Sequence, residues 1–364
     1  MFKGIEGARA WLAWAVVVGH IALYSGLSTI SPAGMFIAYF GDYAVHVFII
    51  ISGFVITHLI VKKHEPYGIY IGRRALRIFP AYLIGLVLAI ATAQLSYATL
   101  IPYAYSDPGQ VKHLLTFARE FHDHFWPQIG LHIFLLHGIV PNQVLPESQY
   151  MFLPPAWSLS LEWQFYLIAP VWLWLLRKSA LVTVVITILI VALYVHFLSR
   201  GFVNPSFLPG AALWFLVGMA TRLAVERLPN LKQFPFAFLF GTFALFHTRE
   251  LIPFVLWAGL VAYIKYGKDF VLLDGALAKA AGARSYSVYV LHYPILCASL
   301  YLSLKILQLS IWLTIGLAAI ATVLGTALAS EIVYRFVEVP AINAGRRLGK
   351  RKVQISTEAE TAGW

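Results

Sequence analysis

Residues 8–27 read ARAWLAWAVVVGHIALYSGL, a run in which Arg9 carries the only formal charge. A helix of about 20 apolar residues is the length that crosses the hydrocarbon core of a bilayer. The run is too long for the apolar core of a signal peptide, and no convincing small-residue cleavage site follows it, so it reads as a first membrane helix. With this first run taken as 8–29, similar runs fall at about 40–61, 78–96, 157–176, 180–199, 207–225, 234–248, 251–266, 284–304 and 311–333. The expected fold is all-α: a polytopic transmembrane helical bundle of about ten membrane helices. Composition agrees, since 60% of the residues are hydrophobic and 12% charged, against about 25% charged in a soluble domain.

The net charge of +11 raises nucleic acid as a partner, but the placement of the charge reports topology instead. With the N-terminus inside and one crossing per run, Lys112, Arg119, Arg200, Arg249 and Lys305 lie outside. The other 22 of the 27 Lys and Arg lie inside or at the inner edge. That asymmetry is the positive-inside bias, and it predicts cytoplasmic N- and C-termini, membrane lipids as neighbours and no nucleic acid. Residues 97–156 then form a long outer loop. Its apolar stretch LHIFLLHGIV (131–140) is too short to cross comfortably and reads as a re-entrant or interfacial helix. After Gly345 the chain turns basic and then polar, so 346–364 read as a disordered cytoplasmic tail. The lone Cys297 excludes an intrachain disulfide. We expect no metal site, and the oligomeric state is open.

Ionisable residues inside membrane helices are costly and mark function by default. His20 lies about 18 Å along the first predicted helix. A neutral imidazole there can act as a general base on a hydroxyl; a histidine bonded to a neighbouring helix is the plainer alternative. Arg9 precedes it by eleven positions, which at 100° each brings the two within about 20° of register. Arg9 at the cytoplasmic edge and His20 deep would suit one elongated ligand, although an ordinary membrane-edge anchor looks the same. Arg73, Arg74 and Arg77 lead into the third helix, and Arg74 and Arg77 share a face. Guanidinium forks hold phosphate oxygens bidentately, or anchor to lipid headgroups. In WSLSLEWQFYLIAP (157–170) Ser158, Ser160, Glu162 and Gln164 stand at the threshold of an apolar run. Glu162 sits where the helix dipole favours a carboxylate. It either belongs to an imperfect cap opened by Ser158, or it orients a histidine or a substrate hydroxyl. Tyr289 and His292, three apart, share a face and are candidates for lining the site. Glu331 and Arg335 have the spacing of an intrahelical ion pair.

Taken in order, these segments resemble the acyltransferase-3 family of integral membrane acyltransferases. GIEGARAWLAWAVVVGH (4–20) is similar to that family's first helix, with arginine, ten residues, then histidine. VHVFIIISGFVIT (45–57) resembles its second helix with the element Ser52-Gly53-Phe54. RRALRIFPAY (73–82) matches its R-x-x-R element, and WSLSLEWQFYL is very close to its W-S-L-S-[LV]-E-x-Q-F-Y-L signature. YSVYVLHYPIL (286–296) and Glu338-x-Pro340 complete the set. Two departures stand out: Trp163 follows the signature acid where a second acid is commoner, and the C-terminal extracytoplasmic hydrolase-like domain of many members does not follow the tenth helix.

The resemblance implies a membrane acyltransferase domain over 1–345 in a bacterial cytoplasmic (inner) membrane. It implies transfer of an acyl group, usually acetyl, from cytosolic acetyl-CoA or another acyl-CoA to a hydroxyl of an extracytoplasmic glycan. Acyl-CoA would be a co-substrate and not a permanently bound cofactor. On this reading His20 is the central acid/base residue or briefly takes the acyl group itself. Glu162 supports it from the outer side, and Arg9, Arg73, Arg74 and Arg77 hold CoA phosphates. Ser158, Ser160, Tyr289 and His292 line the site. Two other classes fit the helix count: a proton-coupled transporter or lipid-linked sugar flippase, with His20 relaying protons, and a purely structural membrane partner.

Overall fold

Ser31 and Pro32 set the start of the second helix. The Ser31 hydroxyl accepts a hydrogen bond from the Gly34 N–H, and Pro32 occupies the first helical position, where its missing N–H costs nothing. The helix therefore begins eight residues before its apolar core and runs Pro32–Lys63. At 1.5 Å per residue it is about 48 Å long, longer than the ~30 Å hydrocarbon core. The computed structural model describes residues 2, 4–103, 108–202, 205–227 and 251–348, and every regular element among them is helical.

We label the principal helices α1 (Ile5–Tyr24), α2 (Pro32–Lys63), α3 (Tyr67–Tyr103), α4 (Pro108–Asp123), α5 (Phe125–Ile133), α6 (Trp157–Lys178), α7 (Ala180–Leu193), α8 (Leu208–Arg227), α9 (Leu251–Tyr266), α10 (Ala276–Tyr301) and α11 (Ile311–Val333). Seven helical stretches among the described residues are long and apolar enough to cross a membrane. They contain α1, α2, α3, α6, α7, α10 and α11; α8 and α9 supply shorter apolar helices, Leu208–Ala224 and Leu251–Tyr266. The expected span at 234–248 lies outside the described residues. The last helix runs on to Leu348, so 346–348 are helical and the rest of the tail lies outside the described residues.

Helices α1, α2 and α10 form the centre. α1 packs on α2 and α10, α2 packs on α8, and α10 packs on α3 and α11. Without water to drive apolar surfaces together, membrane helices associate through close backbone approach at small residues. The α2–α8 contact shows this directly. A Cβ on Gly218 would lie 2.0 Å from the Ile50 carbonyl oxygen, and one on Gly53 would lie 2.3 Å from the Phe215 carbonyl oxygen. The glycine of Ser52-Gly53-Phe54 is thus a packing requirement.

The segment between α3 and α6, expected as an outer loop, is largely ordered by short helices. α5 rises only about 14 Å, less than half the hydrocarbon core, so it does not cross. After it the chain makes short 3₁₀ turns at His137–Ile139, Ser148–Tyr150 and Pro154–Ala156. Leu135, Glu147 and Phe152 take positive φ values of 56°, 54° and 59°, strain that packing must hold in place. His132 and His137 are fully buried and stack with their ring centroids 4.1 Å apart. Burial lowers the His132 pKa to about 4 and pushes His137 well below its ordinary value.

Two predictions follow from this packing. Gly218→Val should lower the apparent Tm of detergent-purified protein by several degrees or abolish folding. Gly259→Ala, where a Cβ meets nothing within 4 Å, should be neutral or stabilise by up to about 1 kcal/mol; equal Tm values for both variants would refute the close-approach account. In the unfolded chain the two histidines take up protons near pH 6.5, in the folded chain only at lower pH, about 4 for His132 and well below its ordinary value for His137, so the unfolded state binds more protons in the range just below 6.5. Thermal stability should therefore fall as pH drops from about 6.5 toward 4, and fall less steeply in His132→Gln.

Candidate active site

Facing stripes of four helices enclose a cavity of about 140 Å³. α2 contributes Val45, Phe48, Ser52 and Val55, and α6 contributes Ser158, Glu162 and Tyr166, each set at the three- and four-residue spacing of one helical face. α3 contributes Arg74 and Arg77, α10 contributes Tyr286 and Tyr289, and Arg9 of α1 closes one end. The cavity thus runs lengthwise between the helices, with arginines toward one end and Ser158 and Tyr289 toward the other.

Each predicted residue has a definite place. Glu162 shares the cavity with Arg9, Arg74 and Arg77 and bonds neither histidine. Its Oε1 accepts hydrogen bonds from Ser52 Oγ at 2.7 Å and from the Tyr166 hydroxyl at 2.5 Å. Glu162, expected to act from the outer side, stands in the same cavity as the three arginines. The buried turn Pro154–Ala156 starts α6 within the protein.

The arginines divide by partner. Arg77 pairs with Glu338, which is 1% exposed and also accepts from Ser287 Oγ at 2.7 Å. Arg73 pairs with Glu65 and donates to the Gly345 carbonyl at 3.0 Å; it does not reach the cavity. Arg9 lies 3.9 Å from Glu6. Among the described residues Arg74 pairs with no carboxylate.

Ser160 also departs from expectation. Its fully buried hydroxyl donates to the Leu135 carbonyl at 2.7 Å and accepts from the Gly138 N–H at 3.1 Å. It anchors the segment between α5 and α6 onto α6 and does not line the cavity. Gln164, one turn on, donates to Ser206 O at 2.9 Å and accepts from Leu208 N at 3.0 Å, fixing the start of α8.

His20 and His292 meet across the α1–α10 contact. His20 Nδ1 and His292 Nε2 are 2.8 Å apart, with the rings within 11° of parallel. The proton positions follow from the partners. His292 Nδ1 faces the Val288 carbonyl at 3.3 Å, and a carbonyl only accepts, so Nδ1 carries the hydrogen. Nε2 of a neutral His292 then accepts, and His20 Nδ1 donates to it. That tautomer leaves the lone pair of His20 on Nε2, where no described residue bonds it. Tyr289 connects the two features: it lines the cavity, its hydroxyl lies 2.7 Å from Ser158 Oγ, and its ring centroid is 6.0 Å from that of His292. Tyr24 also stands beside His20, with ring centroids 5.9 Å apart. Asp42 lies close enough to interact electrostatically with Tyr24, Tyr150 and Tyr289.

The sequence reading missed Ser52 and Tyr166, the two donors to Glu162. Tyr166 was traceable as the residue one turn beyond Glu162 on the same face; Ser52 could be found only by resemblance. The partnership of His20 with His292, far apart in sequence, had no local signal.

The chain belongs to the acyltransferase-3 family, whose model, described as an acyltransferase domain, matches residues 2–331. It is similar to the peptidoglycan O-acetyltransferase OatA of Listeria monocytogenes serovar 1/2a, 25% identical over 381 aligned positions, covering 92% of this chain and 55% of OatA. YrhL of Bacillus subtilis strain 168, provisionally named a peptidoglycan O-acetyltransferase, is 28% identical over 55% of this chain and 36% of its own length. The acyltransferase MdmB of Streptomyces mycarofaciens is 28% identical over 48% of this chain and 40% of its own. The chain spans about half or less of the length of these relatives. No solved structure matches it.

Neighbouring arginines with different partners should respond differently to removal. Arg77→Met strands the buried Glu338 carboxylate and should cost about 3 kcal/mol or more of stability. Arg74→Met strands nothing and should leave thermal unfolding nearly unchanged. Equal losses in both variants would refute the division.

Proposed function

We propose that this chain is a membrane O-acyltransferase that moves an acyl group, acetyl in the simplest case, from cytosolic acyl-CoA to a hydroxyl of an extracytoplasmic glycan. The observation that carries the reading is the single cavity that joins the arginine end to Tyr289, beside the His20–His292 pair. The charge asymmetry of the sequence supports a topology of about ten spans, both termini cytoplasmic, with the arginine end facing the cytosol of a bacterial inner membrane. The names of the relatives favour a cell-wall glycan as acceptor.

The chemistry uses the groups as placed. The phosphates of the donor bind at the arginine end, where Arg74 has no competing carboxylate, and the thioester arm extends along the cavity. Glu162, held by Ser52 and Tyr166, accepts from the amide N–H groups of that arm and sets its depth. The acceptor hydroxyl approaches from the opposite side, past Tyr24 and Asp42. His20 Nε2 removes its proton as the oxygen attacks the thioester carbonyl. The C–S bond breaks, the CoA thiolate leaves, and the proton on His20 returns to it. His292 orients the imidazole and holds the proton on the far nitrogen, the service a triad's third member performs for its histidine.

His20→Ala, at matched protein level, should lower transfer of label from acetyl-CoA to cell-surface glycan by about 100-fold or more. His292→Ala should lower kcat by a smaller factor and change its pH profile. Full activity of His20→Ala would overturn the mechanism, and solute transport without covalent acylation would favour the transporter class.

A further inference from the structure

A second cavity, of about 310 Å³, lies between the C-terminal end of α2, the first turns of α3 and the last turn of α6. Arg74 lines both cavities and so forms their shared wall. Lys63 and Arg177 add two more cations to the second. The one acid in its described wall, Glu65, is engaged by Arg73 and lies 3.9 Å from Lys63. Arg177, like Arg74, pairs with no carboxylate among the described residues.

Two independent features show that something polar belongs in this space. The Tyr70 side chain lines the cavity and is 6% exposed, and its hydroxyl is buried with no hydrogen-bond partner among the described residues. A buried hydroxyl without a partner is costly, so it marks a bond that a ligand completes. Next to it opens the first turn of α3, where the Ile69 and Tyr70 N–H groups bond the Pro66 carbonyl but those of Tyr67 and Gly68 have no intrahelical acceptor and, with the helix dipole, favour an anion. Tyr67 stands in that turn. Its hydroxyl donates to the Leu167 carbonyl at 3.1 Å while the residue is 50% exposed, so the ring is anchored with a face open for stacking.

We propose that this vestibule binds the nucleotide end of the acyl donor. Lys63, Arg74, Arg177 and the start of α3 hold its phosphates, Tyr70 donates its hydroxyl to a phosphate oxygen, and the purine stacks on Tyr67. The arm then passes Arg74 into the main cavity. This assignment rests on the acyl-CoA reading above and adds Lys63, Tyr67, Tyr70 and Arg177 to it. The phosphate of a lipid headgroup shares the same chemistry, and the experiment separates the two sources.

The test compares two donors, acetyl-CoA and S-acetyl-pantetheine, which lacks the nucleotide and its phosphates. The purified protein is assayed in phosphatidylcholine nanodiscs and again with phosphatidylglycerol added. Arg177→Glu should raise KM for acetyl-CoA by about tenfold and narrow the KM gap between the donors. Tyr70→Phe removes a hydroxyl that bonds no described residue, so folding is preserved; it should narrow the same gap by a smaller factor. KM shifts equal for both donors would overturn the vestibule assignment, as would variant effects seen only when phosphatidylglycerol is present, which would mark a lipid contact. Turnover of neither donor by the wild type would remove the acyl-CoA reading itself, a result distinct from either of these.

Discussion

A polar group inside a bilayer has no water to bond and must find its partner within the protein. The helices of this chain are arranged around that constraint. Glu338 is buried because Arg77 and Ser287 bond it, and together they join α3, α10 and the end of the last helix. Gln164 and Ser160 are buried because the segment between α5 and α6 and the start of α8 supply their partners. The His20–His292 bond joins α1 to α10 in the same way. What these bonds leave over is informative. The Arg74 guanidinium and the Tyr70 hydroxyl are among the groups without a partner in the described residues, and both belong to the wall of one cavity; buried polar atoms in α5 and the segment that follows it, His132 Nε2 and Gln149 among them, are left over as well.

The spans were legible because their cause is local. Composition and run length decide whether a segment can live in hydrocarbon. Nine of the ten expected runs coincide with described helices, but only seven of these lie in stretches long and apolar enough to cross; α8 and α9 supply shorter apolar helices, and the run at 234–248 lies outside the described residues. Helix ends were less legible because apolarity stops at the membrane surface while the helix does not. α2 starts at Pro32 under a Ser31 cap, and α3 carries Arg73, Arg74 and Arg77 within its helix from Tyr67 on. A hydropathy run beginning near 40 or 78 finds the membrane part and misses the extension.

The site was legible as a set of residue types but not as a set of roles. Spacing showed that Arg74 and Arg77 share a face. It could not show that Arg77 is held by an acid 261 residues away while Arg74 is not. Spacing likewise placed Arg9 and His20 within about 20° on α1, yet the cavity takes Arg9 as its end wall and reaches the histidine pair only through Tyr289 on α10. Ser160 and Glu162 stand two positions apart in the same signature but point in opposite directions, one into a loop anchor and one into the cavity. Partner choice is a tertiary property, and one strand of sequence carries no record of it.

The tautomer of the histidine pair sharpens the direction of the chemistry. A lone histidine in a membrane helix can relay a proton either way, which is what a transporter needs. Here the Val288 carbonyl fixes the hydrogen on His292 Nδ1, and the neutral pair then fixes the hydrogen on His20 Nδ1. The chain of bonds ends at a backbone carbonyl, which cannot release a proton to carry the relay onward. His20 is left with one usable lone pair, on the nitrogen facing away from His292. That arrangement supports the proposal that His20 takes a proton from a bound hydroxyl and hands it back within one turnover, and it suits transfer chemistry better than conduction.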